Sequence, residues 1–296
     1  MTFHSRSILS KFIKASLIAA VMPVSAYAAL MPITAQSTKI WPQISAVNHV
    51  SFIKSKFDPE GFVGNGFLLS YSGRIYAITA KHVLLRAKTD AMKTIDLSGQ
   101  LKSWRLRVNK DPAQYVELGR LVNSNSKRAL NIDVLERDWL VFEVKQNHSK
   151  LVPLVMREGA RAAMGTKHND AQPLTGEVLY ALGCSYARKK ECQQDVYSGK
   201  LVGHAANNLL VQLDDTKSRL GGLSGAPVVD AQQRLVGIVS NFMTNPNAKG
   251  DVFAPANLDY LRAVLKADTR PSSGTNAPVT GAARFASKYF DLKCWQ

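Results

Sequence analysis

At 296 residues, with 46% hydrophobic and 20% charged side chains, the chain can bury a substantial core, and its composition excludes a disordered polymer. A net charge of +16 favours salt-sensitive adhesion to anionic surfaces or acidic partners. The basic residues are scattered and no recognition motif accompanies them, so the charge reads as a solvated surface and not as a nucleic-acid site.

The first 28 residues read as a secretory leader. MTFHSRSILSKFIK carries Arg6, Lys11 and Lys14 and no acid, ASLIAAVMPV follows as a short apolar run, and Ala26 and Ala28 form the small-x-small pattern of a processing site. The run falls short of the roughly 20 residues of a spanning helix, and Pro23 interrupts it. Cleavage after Ala28 predicts an exported chain, periplasmic or secreted, with no integral membrane segment. Loss of the three basic residues lowers the net charge from +16 to +13.

An N-terminal extension, 29–46, precedes a series of short strands. VNHVSFI, GNGFLLSY, RIYAITA, SWRLRV, YVELGRLV and WLVFEV belong to a first unit, 47–150. GEVLYALG, VYSGKLVGH, NLLVQL, APVVD and RLVGIVS belong to a second, 151–267. Each is rich in Val, Ile, Leu, Phe and Tyr, and most are separated by Gly, Asn, Asp or Ser. So many strands with so little helical pattern predict an all-β sandwich or a pair of barrels. The mixed-charge stretch near 145–172 reads as the connection between the halves. ANLDYLRAVLKA, 256–267, has helical spacing through Leu258, Leu261, Val264 and Leu265 and predicts a closing helix. The tail, 268–296, includes a Ser-, Gly- and Pro-rich stretch.

Cys184 and Cys192 enclose the polar loop SYARKKE, and an export route lets them form a local disulfide, which leaves Cys294 odd. Other pairings stay open from the sequence. No zinc-type Cys–His spacing and no HExxH occur, so the sequence points to no metal and no cofactor.

GGLSGAPVVD, 221–230, places Ser224 among small neighbours just before an apolar strand. A serine hydroxyl becomes a strong nucleophile only beside a base, and an imidazole base needs a carboxylate to fix its tautomer. Among His49, His82, His148, His168 and His204, only His82 directly follows a strand, in AITAKHVLL. RDWLVFEV sets Asp138 immediately before a strongly apolar strand. In isolation His82 reads as a buried hydrogen-bonded histidine and Asp138 as an ordinary turn residue. Chain order separates the architectures. An α/β-hydrolase elbow needs its histidine after the serine, and none follows His204. The order His, Asp, Ser is the one found in chymotrypsin-type enzymes.

GNGFLLSYSGRIYAITAKHV resembles the glycine-containing strand, hairpin and histidine turn of the chymotrypsin-like serine peptidases, in their bacterial secreted branch. DWLVFEV resembles the family's aspartate strand, and GGLSGAPVVDAQQRLVGIVSN its serine loop and pocket wall. The resemblance covers roughly 47–266. It implies two six-stranded antiparallel β-barrels with a cleft between them and a protein or peptide substrate. It further implies a triad of His82, Asp138 and Ser224 working through an acyl-enzyme. The amides of Gly222 and Ser224 would form the oxyanion hole, and Ser218, Arg219 and Ser240 would contribute to substrate binding. Two departures stand out. Leu223 replaces the aspartate that pairs with a new N-terminus in digestive relatives, and Leu140 replaces a small residue after the aspartate. A non-catalytic binding module and an esterase with the same triad are the competing readings; the first usually lacks a triad member.

Overall fold

A computed structural model of the chain describes residues 41–84, 94, 96–123, 125–126, 137–158, 172–214, 220–244 and 251–269, the side chains of 242–244 and 251 excepted. The expected leader, Ser218, Arg219 and Cys294 lie outside the described residues, as does the tail beyond Thr269.

The short strands read in the sequence become two closed barrels. In the first, β1 (Ser45–Phe52), β2 (Asn65–Tyr71), β3 (Arg74–Ala80), β4 (Leu101–Val108), β5 (Asp111–Leu121) and β6 (Trp139–Asn147) close in the order β1-β2-β3-β6-β5-β4. β4 shows why. Trp104, Leu106 and Val108 are buried, while Ser103, Arg105 and Arg107 alternate with them toward solvent, the two-residue period of a half-buried strand. The second barrel holds β7 (Val178–Gly183), β8 (Asp195–Ala205), β9 (Asn208–Leu213), β10 (Pro227–Val229), β11 (Leu235–Thr244) and β12 (Asp251–Asn257). It closes as β10-β11-β12-β9-β8-β7. All pairings within the barrels are antiparallel, and closure leaves neither sheet with an open edge. The chain thus has the chymotrypsin-like architecture that the resemblance implies.

Two details differ from the sequence reading. DVFAPAN forms β12, which Pro255 disguises as a turn segment. The helix, α1 (Asp259–Asp268), starts later than 256 because Ala256 and Asn257 finish that strand. Leu261 and Leu265 bury its inner face in the larger core, with Leu258 just before it.

The barrels are joined through backbone as well as side chains. The segment after β6 lies parallel beside β2 at Leu154 and beside β11 at Met156. Leu154 donates to the Leu68 carbonyl at 2.9 Å, and Leu235 donates to the Val155 carbonyl at 2.8 Å. Cys184 and Cys192 are disulfide-bonded, closing the loop between β7 and β8. Among the described residues, no helix is long and apolar enough to cross a membrane.

Candidate active site

His82 sits in a short 3-10 turn, Lys81–Val83, at the end of β3. The β3–β6 register pairs Ala80 with Trp139, and the Lys81 amide donates to the Asp138 carbonyl beyond them, which brings Asp138 and His82 to the same barrel rim. The His82 amide donates to Asp138 Oδ1 at 2.8 Å, and the ring Nδ1 lies 2.5 Å from Asp138 Oδ2. A carboxylate accepts only, so Nδ1 carries the ring proton and Nε2 is free to accept. Nε2 faces the Ser224 hydroxyl at 2.5 Å. Three residues remote in sequence therefore form one continuous hydrogen-bond chain.

Ser224 belongs to the other barrel, in the turn before β10. The Gly225 amide donates to the Val239 carbonyl and the Val239 amide to Ala226, which fixes this turn against β11. Gly225, at φ +83°, is where a side chain cannot stand: a Cβ would lie 2.2 Å from the Asn65 carbonyl oxygen of the first barrel. The serine turn is thus pressed against the start of β2, and the Asn65 amide donates to the Ser224 carbonyl at 2.7 Å.

Burial and charge act in opposite senses on the imidazole. Burial is the largest influence and lowers its pKa. The charge and hydrogen bond of Asp138 together outweigh that, leaving His82 above the ordinary histidine range. Asp138 is almost wholly enclosed, with its side chain 2% exposed against 19% for His82. His49 is different. It pairs across from Arg105 on β4, and burial with the charge of Arg107 pushes its pKa down to about 4.

Ser240, expected in the substrate-binding wall, also turns its hydroxyl onto Asp138 Oδ2 at 2.5 Å. The carboxylate of one barrel is thereby held by a donor from the other. This contact is not legible locally, because the partners are 102 residues apart. Ser218 and Arg219 lie outside the described residues.

Gly222 has φ +95°, and a Cβ there would stand 2.7 Å from both the backbone N and the ring of Tyr186. The carbonyl of Gly221 accepts from the Tyr186 amide at 2.7 Å, and that of Leu223 from the Ala226 amide at 2.8 Å. In a trans peptide the N–H points opposite to the carbonyl, so these bonds turn the Gly222 and Ser224 amides the other way. Among the described residues neither amide donates to a protein acceptor. No described group of His, Cys, Asp and Glu side chains is placed to hold a metal ion.

A hydroxyl bonded to a carboxylate-oriented imidazole, beside two backbone N–H groups that donate to no described residue, is an arrangement suited to nucleophilic acyl transfer. The fold and this arrangement are those of the chymotrypsin-like class. Residues 64–238 match the trypsin-like peptidase domain, more than half of the chain, and the protein belongs to that family. Among solved structures, the serine endoprotease from Yersinia pestis is similar at 17% identity and a TM-score of 0.46, over 76% of this chain and 62% of its own length. Deg5 is similar at 17% identity and a TM-score of 0.44, over 74% of this chain and 86% of its own. The chain thus spans less than two thirds of the Yersinia pestis protein. Comparison with curated proteins returned no match.

Proposed function

We propose that the chain is an exported serine endopeptidase in which Ser224 is the nucleophile, His82 the general base and acid, and Asp138 the group that orients the imidazole. The observation that carries this reading is the pair of 2.5 Å contacts on opposite nitrogens of His82, to Asp138 and to Ser224. As the Ser224 oxygen bonds to a peptide carbonyl carbon, its proton passes to Nε2 and the carbonyl oxygen takes the negative charge. The amides of Gly222 and Ser224 stabilise that charge. The C–N bond then breaks, the amine leaves with the proton from Nε2, and an acyl-enzyme remains. Water attacks the ester by the same route, with His82 as base again, and releases Ser224.

The side chain of Ser240 serves Asp138, which leaves its backbone for an extended substrate. Ser218 and Arg219 belong to the pocket in this reading, and an acidic preference would follow if Arg219 faces it. Export is supported by the basic, apolar and small-residue order of 1–28 and by the disulfide, a bond typical of oxidising compartments.

The test uses protein recovered from an exporting host. Its N-terminus is expected at Ala29. A fluorophosphonate is expected to label Ser224 and block cleavage of peptide substrates. S224A should keep the fold and lose turnover. An S224A preparation free of other peptidases that still cleaves peptides at the wild-type rate would overturn the assignment.

A further inference from the structure

Asn65 opens β2 and is wholly buried. Its side chain reaches across to the second barrel. Nδ2 donates to the Gly222 carbonyl at 2.6 Å and to the Cys184 carbonyl at 3.0 Å, and Oδ1 accepts from the Cys184 amide at 2.9 Å. These partners fix the amide's orientation, since the reverse would set its oxygen against two carbonyls and its NH2 against an N–H. Gly183 leaves the space: a Cβ there would lie 2.8 Å from Oδ1. The backbone of Asn65 is engaged as well. Its carbonyl accepts from Asn48 Nδ2 at 2.8 Å and from the Thr79 hydroxyl at 2.7 Å, both in the first barrel.

The consequence falls on the two amides beside the nucleophile. Gly222 N–H belongs to the 221–222 peptide, which the Tyr186 amide holds through the Gly221 carbonyl. Ser224 N–H belongs to the 223–224 peptide, which the Ala226 amide holds through the Leu223 carbonyl. Between them lies the 222–223 peptide, and its carbonyl is held by Asn65. Freed of that bond, the plane could rotate about the permissive glycine and carry the two amides out of register. The backbone N–H of Asn65, which side-chain variants keep, donates to the Ser224 carbonyl and grips the same turn from its other end.

We propose that Asn65 is a positioning residue for the oxyanion pocket, tying the Gly222–Leu223 peptide to the disulfide-closed loop so that both amides are aimed before substrate arrives. The inference rests on the reading of Ser224 as nucleophile. It assigns Asn65 no contact with substrate. Its effect belongs to the transition state, where charge develops on the oxygen, and not to ground-state binding.

The experiment compares wild type, N65A and N65D with an internally quenched peptide selected on the wild-type enzyme, and with the aldehyde of the same peptide. The aldehyde adds to the serine and places a charged oxygen in the pocket. All rates are normalised to the chains that a fluorophosphonate labels. Outright loss of one oxyanion donor costs about 10²–10³ in rate, so misaiming through N65A is expected to lower kcat about 10- to 100-fold. KM should stay within about twofold, and the aldehyde should weaken in proportion to kcat. N65D keeps the acceptor for the Cys184 amide and loses the donor to Gly222, and it should fall by a similar factor. Should N65A not fold, N65S replaces it and is read by the same proportion.

A folded variant with wild-type kcat and wild-type aldehyde affinity would overturn the inference. So would a loss confined to KM, or a lowered melting temperature with kcat per labelled chain intact. A wild-type chain that the fluorophosphonate fails to label overturns the reading of the nucleophile itself, and this inference with it.

Discussion

His82 is where burial and charge compete most directly. The ring loses water, which disfavours its charged form, yet Asp138 sits against Nδ1 and reverses the balance. Under the proposed mechanism only neutral His82 can accept the serine proton. The acid limb of kcat/KM should therefore lie above about pH 6.5, the ordinary histidine value. The stability sign is the opposite. A raised folded-state pKa contributes stability that is fully present below about pH 6.5 and is lost as pH rises through the raised value. The active form of the site is thus the one that has given up this contribution. D138N removes the charge and leaves burial to act alone, so the limb should move to lower pH. The rate should fall by about 10⁴, the size this change has in a Ser-His-Asp triad, because the wrong tautomer then faces the serine. A profile of kcat/KM from pH 5 to 9 reads both effects, and an unmoved limb in D138N would contradict the assignment. His82, Asp138 and Ser224 each carry a local sequence signal, a strand end or a run of small residues. Asn65 carries only its two flanking glycines, because its partners at Cys184 and Gly222 are 119 and 157 residues away.

Between strands, the disulfide-closed loop from Cys184 to Cys192 packs against the serine turn. Its Tyr186 amide holds the Gly221 carbonyl, and the tyrosine ring packs against Gly222 and Phe62. The hairpin between β4 and β5 grips the same loop from the first barrel. There Asn109 donates to the carbonyls of Lys189 at 2.8 Å and Cys192 at 2.7 Å. A cross-link over so short a loop contributes about 2–3 kcal/mol by restricting the unfolded chain. The double variant C184S/C192S should melt about 4–12 °C lower, since 1 kcal/mol corresponds to roughly 2–4 °C in a protein of this size. Under the proposed mechanism its kcat should fall more than its KM changes, because the turn that carries the Gly222 and Ser224 amides loses part of its backing. Calorimetry and steady-state kinetics on the variant test this, and a kcat identical to wild type would mean that the loop holds Tyr186 in place without the disulfide. Elements of this kind are only half legible. Cysteine spacing and loop polarity point to the bond, but nothing local says that the loop abuts the Ser224 turn. β12 is hidden by Pro255, and its loss from the sequence reading also misplaces the start of α1.

The two barrels must keep a fixed relation for residues of both to share one proton path, and α1 contributes to that at the far end from the serine turn. Its last residue, Asp268, receives a hydrogen bond from the Tyr76 hydroxyl at 2.9 Å and lies 3.1 Å from Arg120 and 3.3 Å from Arg74, all of the first barrel. The short strands and the turn residues between them are legible in the sequence, and their closure into two barrels comes from the family resemblance. This latch is not legible, because an aspartate at a helix end reads as an ordinary solvated charge. Burial raises the Asp268 pKa, but the hydrogen bonds from Arg120 and Tyr76 and the charges of Arg120 and Arg74 outweigh it, and the net shift is downward. A depressed carboxylate contributes stability that is present above about pH 3.9, its unfolded value, and is lost as pH falls through the folded one. Both arginines are more than half exposed, so the full strength of a charged hydrogen bond must be discounted to about 1–2 kcal/mol. D268N should accordingly lower the melting temperature by about 2–8 °C at pH 7. The gap between variant and wild type should then narrow as pH is taken below about 3.9, where wild-type Asp268 progressively loses its own charge. Melting curves of both proteins from pH 2.5 to 7 test the argument. A gap that stays constant across that range would mean that Asp268 holds the helix by packing alone, with no share from its charge.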